Sequence, residues 1–109
     1  MNCADQVRLW IQRRTLAGMQ CQAVAEDMGI SAKVLARRLK AEGTSWRELK
    51  REEQIRRLGV ILSRPGKVDI RSAALECGFF YSESFLEFFK QVRGQTFTAW
   101  RMDRQGGIF

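Results

Sequence analysis

The chain has 109 residues, 45% of them hydrophobic, and a formal net charge of +7. This length fits one small domain or two very small lobes, and the apolar content argues against disorder of the whole chain. No apolar run reaches the ~18 residues that a membrane span needs, and residues 1–10 lack the features of a secretory signal, so we expect a cytoplasmic protein with no membrane partner.

The first part of the chain is predicted to form three helices. The first is expected to begin near Asp5, with that residue as its cap, and to stop at Gly18. The second covers residues 21–28. The third is capped by Ser31 and runs to residue 41. One face of this third helix is apolar and another is basic, and the basic side chains are Lys33, Arg37 and Lys40.

A longer helix is predicted over residues 46–63. It opens on SWRE at residues 45–48, which has the pattern of a capping box. Its 18 residues would make a rod of roughly 27 Å. Its apolar face is interrupted, and Pro65 ends it. The apolar residues of that face are Leu49, Ile55, Leu58 and Leu62. Asp69 is expected to cap a short helix over 70–77, and helices over 82–93 and 98–104 and a tail follow.

Two related segments occur in the chain. The first reads AEDMGI at residues 25–30 and the second reads ALECGF at residues 74–79, an offset of 49. Beyond them the offset becomes 50, so that Arg37 corresponds to Glu87 and Lys40 to Lys90. A short helix, a glycine turn and a longer helix form the helix-turn-helix motif. The repeat therefore predicts two such motifs on either side of the long helix.

The positive charge is concentrated in one region. Residues 31–71 contain twelve basic and five acidic side chains, whereas residues 1–30 and 72–109 each have no net charge. A basic stripe this local indicates a polyanion as partner. Charge alone leaves a solvated helix face as the alternative.

The residue types for catalysis and metal binding are scarce. The chain has no histidine, which is the commonest general base, and its three cysteines are widely spaced. This spacing fits neither a disulfide framework nor a metal site. We find no nucleophile–base pair, no glycine-rich phosphate loop and no carboxylate cluster. We therefore expect neither an enzyme nor a cofactor.

Two stretches resemble the DNA-binding domain of the AraC/XylS family of bacterial transcription regulators. They read GISAKVLARRLKAEGTSWREL and DIRSAALECGFFYSESFLEFFKQVRGQTFTAWR, and the resemblance covers about residues 7–102. It implies an all-α fold of seven helices, with two helix-turn-helix subdomains joined by a long linker helix. It also implies activation at asymmetric promoter sites through contact with RNA polymerase.

On this basis residues 1–109 are expected to form one domain that binds double-stranded DNA, as a monomer associated with the nucleoid. The alternative is a fragment of a regulator whose sensing domain lies elsewhere. A first lobe is expected over about 5–43, the linker helix over about 45–63 and a second lobe over about 69–104.

The resemblance also implies which residues contact DNA. In the first recognition helix the base-reading positions are Lys33, Ala36 and Arg37. In the second, the base-facing positions are Ser82, Glu83 and Glu87. Contacts to the DNA backbone are expected from Ser31, Lys40 and Lys90. Arginine can pair bidentately with guanine in the major groove.

The chain departs from the family pattern at several positions. Glu87 stands where the family often has a basic or neutral polar residue. A glutamate can accept a hydrogen bond from cytosine, but it also repels phosphates, so base reading and weakened DNA contact both remain open. Phe80 replaces a small polar residue, and Phe97 replaces a proline. Arg38 falls where many members have an apolar residue, and is expected to lie against the linker helix.

The aromatic run from Phe79 to Phe89 admits two functions. Four of its rings are expected in a core, namely Phe79, Phe85, Phe88 and Phe89, whereas Phe80 and Tyr81 fall at the turn. The main hypothesis is a sequence-specific DNA-binding regulator led by the first motif. The alternative is a protein-interaction module with weak DNA binding, whose acidic second helix and aromatic turn face RNA polymerase or a full-length relative.

Overall fold

The computed structural model describes residues 2–105, without the side chains of residues 104 and 105. Over this range the protein is all-α, which confirms the predicted fold class. The seven helices are α1 (Cys3–Gln12), α2 (Cys21–Asp27), α3 (Ala32–Ala41), α4 (Trp46–Ser63), α5 (Ile70–Glu76), α6 (Ser82–Arg93) and α7 (Phe97–Gln105). No helix in the described range is both long and apolar enough to cross a membrane.

The start and end predicted for α1 are wrong. Asn2 caps the helix, because its side-chain oxygen accepts a hydrogen bond from the backbone N–H of Asp5 at 2.8 Å. The helix ends at Gln12, so that Gly18 lies in the connection to α2 instead of terminating α1.

At the other end of the chain, the predicted tail begins one residue too early, since Gln105 is the last residue of α7. Residues 106–109 of that tail lie outside the described range.

Three other caps agree with the sequence. The side chains of Ser31, Ser45 and Asp69 each accept a hydrogen bond from the backbone N–H three residues later. The capping box at Ser45 is only half formed. The carboxylate of Glu48 accepts a hydrogen bond from the hydroxyl of Thr44 and not from the backbone of Ser45. These caps place the starts of α3, α4 and α5 where the sequence predicts them.

The buried residues form two separate cores, one on each side of the middle of α4. The first core lies among α1, α2, α3 and the start of α4, and consists of Cys3, Ala4, Val7, Ile11, Leu16, Val24, Ala25, Leu35, Leu39 and Leu49. The second lies among the end of α4, α5, α6 and α7, and consists of Leu58, Ile61, Ala73, Ala74, Cys77, Phe85, Phe88, Phe89 and Phe97. We call the helices around each core the first and the second lobe.

The middle of α4 explains why its apolar face is interrupted. Between the two cores the buried positions are occupied by the polar residues Glu53 and Gln54. The prediction that Ile55 faces inward is wrong, because this side chain is 42% exposed. Ile61 takes an inward position beside Leu58 in the second core.

The second core is built from aromatic rings. Phe85, Phe88 and Phe89 are buried as predicted, and Phe79 is half-buried at the edge of the cluster. Phe97 is also buried, and its ring meets that of Phe89 edge to face with centroids 5.3 Å apart. Such pairs contribute beyond the area they bury. The departure from the family's proline at this position therefore adds a ring to the core.

The two helix-turn-helix turns have the same hydrogen bonds, which supports the repeat in the sequence. After the short helix of each motif, a glycine with positive φ is followed by a residue whose N–H reaches back to the repeated alanine, as in a Schellman motif. These bonds run from Ile30 N to Ala25 O (3.0 Å) and from Phe79 N to Ala74 O (2.8 Å). Both alanines are buried where the helices cross.

Replacing Gly78 with alanine should destabilise the protein more than the same change at Gly29. Both glycines have positive φ (+93° and +74°), which costs an L-residue roughly 1–2 kcal/mol. A Cβ at Gly78 would lie 2.9 Å from the Cβ of Leu16, whereas nothing lies within 4 Å of one at Gly29. We expect urea denaturation to show a loss of about 1 kcal/mol for Gly29→Ala and at least about 2 kcal/mol for Gly78→Ala. Equal losses would contradict this difference in packing.

Candidate nucleic-acid interface

The helix α3 presents a basic face to solvent. Lys33, Ala36, Arg37 and Lys40 are all exposed, and their spacing places them on one side of the helix. Leu35 buries the opposite side in the first core. Within residues 2–105, none of the three basic side chains forms an ion pair or a hydrogen bond with another residue. Their donors are therefore available to a ligand.

Ser31 lies at the beginning of this face. Its hydroxyl oxygen accepts a hydrogen bond from the backbone N–H of Val34 at 3.1 Å. A serine hydroxyl that accepts a bond can still donate its own proton. Because Ser31 is exposed at the N-terminus of α3, it can cap the helix and donate to an anion at once.

The equivalent face of α6 is acidic. Glu83 and Glu87 are exposed and make no ion pair with any described residue, while Lys90 is exposed one turn further on and Ser82 is half-exposed. Glu83 lies in the first turn, where a negative charge interacts favourably with the helix dipole. That same turn would otherwise favour an anion such as phosphate, so the carboxylate of Glu83 disfavours a second negative charge there. Glu87 lies in the middle of the helix and has no such structural role.

Part of the basic excess between residues 31 and 71 is used inside the protein. Arg56 pairs with Glu53 at 2.7 Å, and Arg64 pairs with Glu76 at 3.0 Å. Lys50 donates to the backbone carbonyl of Met19 at 3.0 Å, and burial lowers its pKa. The basic stripe inferred from the sequence is therefore divided between charges that pair within the protein, on α4 and directly after it, and exposed charges on α3.

Arg38 and Phe80, which depart from the family pattern, are both exposed, and so is the neighbouring Tyr81. Arg38 makes no hydrogen bond or ion pair with α4 in the part of the chain that the structure describes. Phe80 is 66% exposed and Tyr81 is 71% exposed, so the aromatic turn is a surface feature. One edge of the Phe80 ring nevertheless lies close to Gly18 of the first lobe, since a Cβ added there would be 2.9 Å from its tip.

Sequence reasoning missed a buried ion pair in the middle of α4. Glu53 accepts hydrogen bonds from Arg57, through Nε at 2.8 Å, and from Arg56. Burial on its own raises the pKa of Glu53, but these hydrogen bonds and the two positive charges outweigh it and hold the pKa below its usual value. The i, i+4 spacing of Glu53 and Arg57 within an interrupted apolar face is the signal that could have identified the pair.

The thiols are not activated. Burial raises the pKa of Cys77 to about 12, and burial also raises the pKa of Cys3 and of Cys21. A reactive cysteine needs a lowered pKa, because the thiolate is the nucleophile. Within the described range, no group of three or more cysteine, aspartate or glutamate side chains is placed to hold a metal ion.

Comparison with known proteins assigns the family. A family described as "Helix-turn-helix domain", of the AraC type, matches residues 24–103. A DNA-binding transcriptional dual regulator from Escherichia coli K-12 has a similar crystal structure, with a TM-score of 0.80, 22% identity and coverage of 94% of this chain and 98% of that chain. The C-terminal domain of AraT, a response regulator from Geobacillus stearothermophilus, has a TM-score of 0.75 and 23% identity, covering 94% of this chain and 86% of that chain.

None of the curated proteins compared with the chain matches it. The two solved structures show that the fold is shared, and the family match extends over most of the chain, including both glycine turns and both exposed helix faces. The chain therefore belongs to the AraC-type helix-turn-helix family of DNA-binding transcription regulators.

Proposed function

We propose that this regulator is sequence-specific and binds an asymmetric DNA site as a monomer, with α3 and α6 in successive segments of the major groove and α3 dominant. The observation that carries this proposal is the exposed basic face of α3, whose side chains have no partner among the described residues. The site is asymmetric because the repeat-related helix α6 presents carboxylates at the corresponding positions.

The dimensions of the protein support two contacts on one side of a duplex. The chain measures 56 × 23 × 22 Å along its principal axes. If each lobe is about as wide as the short axes, the lobe centres lie ~34 Å apart, close to the ~34–36 Å between successive major-groove faces. One chain can therefore span the distance that a helix-turn-helix dimer spans.

The exposed residues of α3 suit separate roles in the groove. We propose that Arg37 donates two hydrogen bonds to a guanine and that Lys33 reads a neighbouring base. The methyl group of Ala36 is small enough to meet a thymine methyl. Lys40 and Ser31 are assigned to phosphates, which fix the register of the helix without reading sequence.

In α6 the proposed contact is weaker. We assign Lys90 to a phosphate, and place Ser82, Glu83 and Glu87 toward the bases. The two carboxylates repel the DNA backbone, so that this helix adds less binding free energy than α3 does. This difference is why α3 is taken as the dominant reader.

Changing Glu87 to glutamine should raise the affinity for duplex DNA about two- to fivefold at low salt, with unchanged base preference, because one repulsive charge is removed. Fluorescence anisotropy on specific and scrambled duplexes measures this. The matched control is Asp103→Asn, which removes the same charge from α7 and should have less effect. Weaker specific binding with relaxed preference at one position would assign Glu87 to base reading. No change in either quantity would contradict the placement of α6 on DNA.

A second candidate function is a contact with a protein, for which we propose RNA polymerase. It is favoured by the exposure of Phe80 and Tyr81 beside the acidic N-terminus of α6, since exposed aromatic side chains are typical of protein interfaces. Purified RNA polymerase should be retained by the immobilised protein in the absence of DNA, and Glu87→Arg should abolish the retention. Failure to retain polymerase would exclude this second function.

A further inference from the structure

The two lobes are joined by more than α4. The contact that joins them, which we call the interlobe bridge, consists of the side chains of Arg57 and Glu53 and the backbone carbonyls of Ile11, Arg14 and Glu76. Arg57 donates through Nη2 to the carbonyls of Ile11 (2.9 Å) and Arg14 (2.7 Å) in the first lobe. Through Nη1 it donates to the carbonyl of Glu76 (3.3 Å) in the second. One side chain thus holds both lobes.

The bridge depends on the chemistry of arginine. The planar guanidinium carries five N–H donors, and here it serves four acceptors in three directions. Ile11 lies in the last turn of α1, and Glu76 is the last residue of α5. Carbonyls at helix C-termini lack intrahelical partners and carry partial negative charge. The two helix ends therefore converge on a single cation.

Glu53 holds Arg57 in place. Its side chain is 7% exposed, against 15% for that of Arg57, so the pair is largely removed from water. Because the pKa of Glu53 is lower in the folded state than in the unfolded chain, its carboxylate is ionised at neutral pH and the ion pair stabilises the fold. This stabilisation is lost only as the pH falls from the unfolded-state pKa of ~4.3 through the lower pKa of the folded state. The bridge is thus intact under physiological conditions.

A second set of contacts acts between the same parts of the two lobes. The connection between α1 and α2 meets the turn before α6, where Leu16 lies against Gly78 and Gly18 lies against the ring of Phe80. This turn leads directly into α6. The position of α6 is therefore set by the first lobe as well as by its own core.

We propose that Arg57 is a positioning residue for DNA binding, which fixes the separation and rotation of α3 and α6 before DNA arrives and so restricts the protein to one spacing of its two half-sites. This inference rests on the proposed function, in which both helices contact DNA. Inserting one base pair moves the second half-site by ~3.4 Å and turns it by roughly 34–36°. A rigid pair of lobes cannot follow that change, whereas lobes held only by α4 and by the apolar contacts of Leu16 and Phe80 can bend toward it.

The test uses the full chain and a series of duplexes in which the selected half-sites are separated by zero, one or two additional base pairs. One added base pair should lower the affinity of the wild-type protein by roughly tenfold or more, a loss similar to that caused by one mismatched base pair. Arg57→Ala should bind the best duplex more weakly than the wild type, because the lobes are no longer pre-organised. Adding one base pair between the half-sites should lower the affinity of this variant by about threefold or less.

Arg56→Ala is the matched control. Arg56 is the neighbour of Arg57, carries the same charge and also binds Glu53, but its hydrogen bonds do not reach the first lobe. This variant should keep the spacing dependence of the wild type. Arg57→Lys keeps the charge but offers one ammonium group to the four acceptors. The dependence of its affinity on half-site spacing should lie between that of the wild type and that of Arg57→Ala. Arg57→Lys also provides the test if Arg57→Ala does not fold.

A measurement without DNA separates this inference from the proposed function. Residual dipolar couplings should fit a single alignment tensor for both lobes in the wild type and in Arg56→Ala, and two different tensors in Arg57→Ala. Arg57 variants that are folded and keep both a single tensor and the wild-type spacing dependence would overturn the inference. If the wild type binds no two-part site, the proposed function fails, and the couplings still decide whether Arg57 joins the lobes.

Discussion

Replacing Phe85 with alanine should lower the free energy of unfolding by about 3–5 kcal/mol. The side chain is fully buried, and its ring meets those of Phe79, Phe89 and Phe97 at centroid distances of 6.3–6.4 Å. Alanine would remove a whole ring from the centre of this cluster and leave a cavity. Because domains are stable by about 5–15 kcal/mol, the variant should be close to unfolding at room temperature.

Urea denaturation followed by circular dichroism measures this effect, and Phe80→Ala is the matched control. Phe80 belongs to the same aromatic run but is 66% exposed, so its removal should cost less than about 1 kcal/mol. A loss of less than 1 kcal/mol for Phe85→Ala, or similar losses for both variants, would contradict the assignment of these rings to core and surface.

Replacing Arg37 with alanine should reduce affinity for the selected DNA site by about 1–3 kcal/mol, which corresponds to roughly 5–150-fold. Arg37 is exposed on the basic face of α3, and no ion pair within the described residues competes for its guanidinium. Loss of a bidentate contact to guanine should also relax the preference at one base pair. Binding to unrelated sequences should fall much less, because that binding depends on the total charge.

The matched control for this prediction is Arg38→Ala. It removes the same charge from the next position of α3, which the helical spacing directs away from the base-facing side. Competition binding with single-base variants of the site should show a uniform, small decrease for Arg38→Ala. An Arg37→Ala protein with unchanged affinity and unchanged base preference would remove Arg37 from the interface.

The helices that the sequence predicts best are those with strong local signals at both ends. The bounds of α4 are correct because Ser45 caps its start and Pro65 follows its end, and those of α6 because Gly94 stops the helix. The start of α1 was misplaced because Asn2 and Asp5 are both good cap residues. Local sequence does not show which of the two accepts the backbone hydrogen bond.

The contacts between the lobes were not predictable from local patterns. The inward positions of α4 follow helical periodicity near each core, but at Glu53 the helix passes between the cores, where a buried carboxylate is stabilised by Arg57. The partners of Arg57 lie 19–46 residues away in the sequence. Periodicity and net charge contain no information about such distant carbonyls. Because Arg57 is occupied by these hydrogen bonds, the positive charge available to a polyanion is smaller than the sequence indicates.

The exposed faces of α3 and α6 were predictable, because burial of the repeat-related apolar residues directs the intervening positions outward. Lys33, Arg37 and Glu87 are therefore placed as expected on the surface. Their roles toward DNA remain a proposal. Exposure and charge determine which kind of ligand these side chains can bind. The DNA sequence that the protein prefers is set by hydrogen bonds to base edges, which form only in the complex.

Selection of binding sites from a random duplex pool tests the central proposal most directly, followed by a salt titration on the enriched sequence. We expect an asymmetric motif in two segments about one helical turn apart, more strongly specified in the segment that α3 contacts. Log affinity should fall with log salt by ~0.9 for each phosphate contacted. A motif confined to one segment would contradict DNA reading by α6. No enrichment, with only weak salt-sensitive binding, would contradict sequence-specific regulation by this chain.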